Sequence, residues 1–168
     1  MSKYDLTAKE LRTRIDYDPI TGGLKWRETQ SKKIKTGDDA GYITKHRGGG
    51  YRRVYLNGIG YMAHKLAWLH YYGQWPSDQI DHINRVRSDN RIENLREATQ
   101  SENQANRKIA SHNKSGFKGV TKHQRKWAAS IRKNRLRIHI GVFDTPQEAH
   151  AAYCEAANKL HGSYASGA

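Results

Sequence analysis

Apolar residues recur along the chain in short runs, some at helical spacing and some alternating, with turn residues between them. Leu6-Thr7-Ala8-Lys9-Glu10-Leu11 predicts a short helix with Thr7 as N-cap, Glu10 as its capping-box partner, and Leu6 and Leu11 as a hydrophobic staple. Asp18 to Gly23 is a run of turn residues that ends it, and Leu24-Lys25-Trp26 predicts a small strand. Ser31 to Asp39 is polar and lysine-rich, an expected exposed loop. Ala40 to Thr44 and Tyr51 to Met62 predict strands. The second is a hairpin turned at Asn57-Gly58, with Val54, Leu56, Ile59 and Tyr61 alternating about it. Residues 45–50 between them form a basic, glycine-rich loop. Ala63 to Tyr72 places Leu66, Ala67, Leu69 and Tyr71, with Trp68, on a helix that ends at Gly73, before Trp75-Pro76.

Gln79 to Asn84 and Leu95 to Ala98 predict two further strands joined by a loop from Arg85 to Asn94, and Thr99 with Glu102 caps another helix. Asn106 to Gly116 is polar apart from Ile109-Ala110, and the domain boundary is expected there: residues 1–110, a linker over 111–116, and 117–168. The linker reading includes His112. Beyond it, Lys118 to His123, Lys126 to Lys133 and Leu136 to Val142 set Val120, Trp127, Ala129, Ile131, Leu136, Ile138 and Ile140 against basic or polar neighbours, so one sheet face should pack and the other carry charge. Thr145-Pro146-Gln147-Glu148 starts a helix with an N-cap, a first-turn proline and a box glutamate. Ala149, Ala152, Tyr153, Ala156 and Leu160 are its expected inner stripe.

Charge changes this picture more than composition does. The 168 residues carry a formal net charge of +14 with pI near 10.0, which makes a polyanion the expected partner. From Lys118 to Arg137 there are eight Lys or Arg and no Asp or Glu, a like-charge density that phosphates would relieve. The lysine-rich loop at Ser31 to Asp39 fits either a solvated surface or a segment lying along phosphates. Hydrophobic content of 36%, against the ~45–50% usual for globular domains, predicts small cores. The single Cys154 excludes an intramolecular disulfide and any multi-cysteine zinc site. No apolar run approaches a membrane span and no signal-peptide pattern is present, so a soluble cytoplasmic protein without membrane contact is expected. No protein partner is implied.

The candidate chemistry lies between Ile80 and Arg107. His82 follows a carboxylate, Asp81, and is followed by Asn94 12 residues on and Asn103 21 residues on. An imidazole with an ordinary pKa near 6.5 can take a proton from water, and Asp81 with the Asn103 carbonyl offers oxygen ligands for a hard divalent cation. Together these suit metal-assisted phosphodiester cleavage. Neighbours on a strand point to opposite faces, so a common site for Asp81 and His82 needs a bend.

Asp81-His82-Ile83-Asn84, then Asp89-Asn90-Arg91-Ile92-Glu93-Asn94-Leu95-Arg96, then Glu102-Asn103-Gln104-Ala105-Asn106, resemble the core of the HNH (His-Me finger, ββα-metal) nucleases of the phage and homing type. The Ala63-His64-Lys65-Leu66-Ala67-Trp68 stretch looks like the segment upstream of many such cores. The resemblance implies His82 as general base, Asp81 and Asn103 as ligands of one divalent metal, most often Mg²⁺ with Mn²⁺ as the alternative, and Asn94 as the residue that pins the loop. His64 is read as structural or supporting.

Gly116-Phe117-Lys118-Gly119-Val120, Trp127 to Arg132, Gly141 to Thr145 and Glu148 to Tyr153, closing with Leu160-His161-Gly162, resemble the Apetala-type (ethylene-response-factor) DNA-binding domain. In that family a three-stranded sheet lies in the major groove. The resemblance implies contacts to double-stranded DNA from Lys118, Thr121, His123, Arg125, Arg132, Arg137 and His139. His139 stands where the plant domains usually have Trp.

The expected fold is α+β: an N-terminal ββα-metal module and a C-terminal three-stranded antiparallel sheet packed on one helix. The expected function is a metal-dependent DNA endonuclease with a C-terminal recognition module. The rival from another class is a DNA-binding regulator or accessory protein whose nuclease module is inactive. An RNA-binding protein shares the electrostatics, but its C-terminal sheet offers few exposed aromatics for stacking unpaired bases.

Overall fold

In a computed structural model the described residues are 5–45, 49–109, 113–134 and 136–165. Part of the glycine-rich loop (46–48), part of the expected linker with His112 (110–112), and Arg135 lie outside them. The fold mixes helices with several small antiparallel sheets. It forms two compact units, Met1–Glu97 and Ala98–Ala168.

In the first unit, α1 (Ala8–Arg14) starts at Thr7. The Glu10 amide donates to Thr7 Oγ1 at 3.2 Å and the Thr7 amide to Glu10 Oε2 at 2.9 Å, so both capping-box bonds form. The chain leaves α1 directly into β1 (Ile15–Tyr17), which pairs antiparallel with β2 (Leu24–Trp26), Ile15 opposite Trp26 and Tyr17 opposite Leu24. β1 escapes a pattern reading because three residues between a helix and a turn show too little alternation to register.

The strand expected over Ala40 to Thr44 shrinks to β3 (Tyr42–Ile43). Gly41 before it takes φ +81°, and a Cβ there would run into the Arg53 carbonyl, so the ladder cannot extend through it. β4 (Arg52–Leu56) and β5 (Ile59–Met62) form the expected hairpin, with Asn57 at φ 51° and Gly58 at φ 76°. Two left-handed residues are what a type I′ turn needs. α2 (Ala63–Tyr72) ends on Gly73 at φ 79°. Leu11, Ile15, Leu24, Val54, Leu66 and Leu69 join these pieces in one core, each at 0–1% exposure. Each such side chain contributes about 1.5–3 kcal/mol by burial.

A two-stranded sheet of β6 (Gln79–His82) and β7 (Leu95–Ala98) follows, with a 3-10 turn over Ile92–Asn94 just before β7. β6 stops at His82 instead of Asn84. The Arg85 amide folds back to the His82 carbonyl at 2.9 Å, with Arg85 at φ 64°.

The second unit holds α3 (Gln100–Ala105), with its Thr99 and Glu102 box complete, and strands β8 (Val120–His123), β9 (Lys126–Lys133) and β10 (Leu136–Phe143), ordered β10-β9-β8, all antiparallel. α4 (Pro146–His161) packs on this sheet, and α3 packs on α4. The unit therefore begins before the polar stretch at 106–116.

The inner stripe of α4 is Ala149, Tyr153, Ala157 and His161, a strict i, i+4 row, with Ala152, Ala156 and Leu160 only half-buried. His161 belongs to the stripe because its Nε2 meets the Arg132 carbonyl at 3.1 Å. Leu136 and Ile138, expected to pack, are 71% and 41% exposed. They lie on β10, an edge strand whose register shifts between His139 and Gly141. Among the described residues no helix is long and apolar enough to cross a membrane.

Candidate active site

His82 ends β6 at 5% exposure. Its Nε2 lies 3.4 Å from Asn90 Oδ1. An amide oxygen only accepts, so Nε2 carries the hydrogen and Nδ1 the lone pair that would take a proton. The His64 ring, on α2, stands edge-on to it with centroids 5.1 Å apart at 88°, and Tyr51 lies 6.0 Å away. Burial lowers the His82 pKa, and the Asn90 bond partly offsets this. Burial and the neighbouring His82 drive His64 down to about 3, so His64 is neutral at any working pH.

The loop after β6 is held at many points. Asn94 Nδ2 donates to the Asp89 carbonyl at 2.8 Å, and its Oδ1 accepts the Asn84 amide at 2.9 Å, so one buried side chain ties the two ends together. Asp89 accepts from Asn84 Nδ2 at 2.6 Å and from Arg91 Nε and Nη2 at 2.9 and 2.8 Å. The Arg91 bonds hold its carboxyl down at about 2.

The chain's first hairpin braces this loop from outside. Tyr17 Oη donates to the Asn90 carbonyl at 2.7 Å, and the Ile92 amide donates to the Pro19 carbonyl at 3.1 Å. A Cβ at Gly22 would sit 2.5 Å from the Arg91 nitrogen, so only glycine permits that approach.

Asp81, one residue before His82, meets a different partner. Arg96 on β7 donates to its Oδ2 through Nε at 2.9 Å and Nη2 at 2.8 Å, and both side chains are largely buried. Among the described residues no three His, Cys, Asp or Glu side chains come together as a ready-made metal cluster. The donor set still fits Mg²⁺, which binds through one or two carboxylates together with water and substrate phosphates. Asn103 lies on α3, in the second unit, half-buried.

Of the residues implied as DNA contacts, Thr121, His123, Arg132, Arg137 and His139 are exposed and share the face of the β8-β9-β10 sheet turned away from α4. The register sets Thr121 opposite Ala128, His123 opposite Lys126, Arg137 opposite Arg132 and His139 opposite Ser130. Arg137 Nε donates to Ser130 Oγ at 3.0 Å, which fixes its guanidinium along that face. Arg125 is exposed in the turn between β8 and β9. Lys118 differs, since its ammonium donates to the Ala105 carbonyl at the end of α3.

A sequence reading missed Asn90, Arg96, Tyr51 and Tyr17. Asn90 and Arg96 stand inside the quoted motif, so a signal existed. Tyr17 and Tyr51 are brought in only by folding.

Residues 61–105 match the family model described as HNH endonuclease. An uncharacterized HNH endonuclease of Acanthamoeba polyphaga mimivirus is 35% identical over 94 residues, which are 55% of this chain and 49% of that protein. The chain therefore spans about half the length of this relative.

Proposed function

We propose that the chain is a metal-dependent DNA endonuclease of the phage or homing type, with the second unit as its DNA-recognition module. The observation that carries this reading is the His82 site: a buried imidazole, fixed in one tautomer by Asn90, inside the segment that matches the HNH endonuclease family. In this reading His82 takes the proton of the attacking water at Nδ1. Asn90 and the neutral His64 hold the ring in place, burial keeps it uncharged, and Asn94 holds the loop that carries Asn90. Asp81 and Asn103 are the oxygen ligands for one divalent cation, Mg²⁺ or alternatively Mn²⁺. When bound, the cation supplies charge stabilisation at the scissile phosphate and leaving oxygen. Thr121, His123, Arg125, Arg132, Arg137 and His139 contact double-stranded DNA, while Lys118 acts by tying α3 to the sheet module.

Supercoiled plasmid incubated with the protein and Mg²⁺, Mn²⁺ or excess EDTA tests this directly. Cleavage in either metal and none in EDTA supports it, and a protein that binds the plasmid without nicking it under any condition does not. One observation favours the rival, a DNA-binding protein with a silent nuclease module: Arg96 already neutralises Asp81. The same plasmid assay separates the two.

A further inference from the structure

The open face of the β3-β4-β5 sheet takes no part in the chemistry above. Tyr42 stands opposite Arg53 and Tyr55 opposite Gly60, so Tyr42, Arg53 and Tyr55 share one side of the sheet. Core residues Val54, Leu56 and Tyr61 account for the buried positions, and the two tyrosines remain 54% and 47% exposed. Their rings lie within 8° of parallel, centroids 6.4 Å apart, and the Arg53 guanidinium carbon is 5.9 Å from the Tyr55 ring centre. Gly60 makes room: a Cβ there would come within 3.1 Å of Tyr55 Cζ.

Loop 30–39 forms the other wall, and it is well tied. The Trp26 amide donates to the Asp38 carbonyl at 2.9 Å, the Gly37 amide to the Trp26 carbonyl at 2.8 Å, and the Lys35 amide to Asp38 Oδ2 at 2.7 Å. The cleft between the loop and the sheet face, about 500 Å³, is lined by Trp26, Ile34, Asp38, Tyr42, Arg53 and Tyr55 among others. Arg53 Nε is buried there with no acceptor among the described residues. Lys32, Lys33 and Lys35 stand exposed on the same loop.

Flat rings, a guanidinium short of an acceptor and a carboxylate, beside three lysines, are the recognition elements for one ligand class. We propose that this cleft holds an unpaired nucleobase of a DNA strand, stacked on the Tyr42 and Tyr55 rings; the proposal rests on the reading that the chain acts on DNA. Stacking tolerates any base, because each has a π-face. Arg53 donates to a base oxygen or ring nitrogen, and Asp38 accepts from an amino or imino group. Guanine matches both, with an acceptor edge beside its donors. The lysines take the flanking phosphates. The protein thereby grips one strand where the duplex is opened.

The test uses the full chain in EDTA, so that binding is read without cleavage, and two duplexes carrying 2-aminopurine, one fully paired and one with the fluorescent base bulged. Wild type should bind the bulged duplex more tightly and quench its emission. Tyr55→Ala should lose the quench and weaken bulged binding about 10-fold, in the range for one lost base stack, while paired-duplex binding stays unchanged. Tyr55→Phe should keep both. If Tyr55→Ala fails to fold by circular dichroism, Tyr42→Ala, on the opposite strand, gives the same readout. Equal binding of the two duplexes, or a quench that survives in the Tyr42→Ala/Tyr55→Ala double variant, overturns the proposal. So does gel filtration showing that this face pairs two copies of the chain. Binding to neither duplex overturns the DNA reading itself, whereas intact paired binding without a preference for the bulge overturns this inference alone.

Discussion

Asn90 Oδ1 accepts from His82 Nε2 at 3.4 Å, and Asn90 is itself 2% exposed. A buried amide that can only accept on that oxygen selects the imidazole tautomer, so the residue fixing the proposed base is one that carries no charge and performs no proton transfer.

Replacing Asn90 therefore moves the chemistry without touching substrate. Asn90→Asp puts a carboxylate beside His82 and raises its pKa. Because the base works deprotonated, the acid limb of the kcat/KM profile should shift to higher pH, where wild type, with its His82 pKa lowered by burial, holds activity below about 6.5. An unshifted profile would show that Asn90 does not govern the base.

Stability has its own pH signature. Folding lowers the His64 pKa to about 3 from an unfolded value near 6.5. Between those values the unfolded chain binds a proton that the folded chain does not. The stabilisation is fully present above about pH 6.5 and is lost progressively as pH falls toward 3. Urea melts from pH 7 to 4 should show this decline, and His64→Gln should flatten it. An unchanged slope in the variant would reject the assignment.

What the sequence disclosed follows from where the information is local. Capping boxes at Thr7, Thr99 and Thr145, the Asn57-Gly58 turn and the Gly73 stop are decided within four residues, and all form where the pattern puts them. The Asp81-His82 pair, Asn94 and Asn103 are legible as a motif. Their partners are less so. Arg96 reaches Asp81 across a strand pair, and Tyr17 reaches the Asn90 carbonyl from 73 residues away, contacts no spacing rule encodes. The stripe of α4 departs from the expected one at 152, 156 and 160: alanines at 152, 156 and 157 are equally apolar, and only packing chooses Ala157 and brings in His161.

Asp81 and Arg96 make a buried pair, with side chains 6% and 16% exposed. Arg96→Met leaves the carboxylate without its guanidinium and should cost about 3–5 kcal/mol in chemical denaturation. If Asp81 is a metal ligand, millimolar Mg²⁺ should restore more stability to this variant than it adds to wild type. Equal increments from Mg²⁺ in both proteins would argue against Asp81 as a ligand.

On the sheet face, Arg132 and Arg137 stand opposite each other on β9 and β10. Each phosphate contact removed should flatten the slope of log K against log salt by about 0.9, with all sequences weakened alike, whereas a base contact relaxes one position by about 1–3 kcal/mol. Arg132→Ala and Arg137→Ala, measured at several salt concentrations on a selected site and a scrambled one, sort the two roles. Unchanged affinity and slope in both variants would remove this face from the DNA interface.

The most direct measurement is plasmid cleavage by His82→Ala. With Mg²⁺ present, wild type should nick or linearise supercoiled DNA, and the variant should do so about 10²-fold or more slowly while binding the same DNA with nearly the same affinity. A variant that cuts at the wild-type rate would contradict the assignment of His82 as the base, and with it the account of what Asn90, His64 and Asn94 are arranged to do.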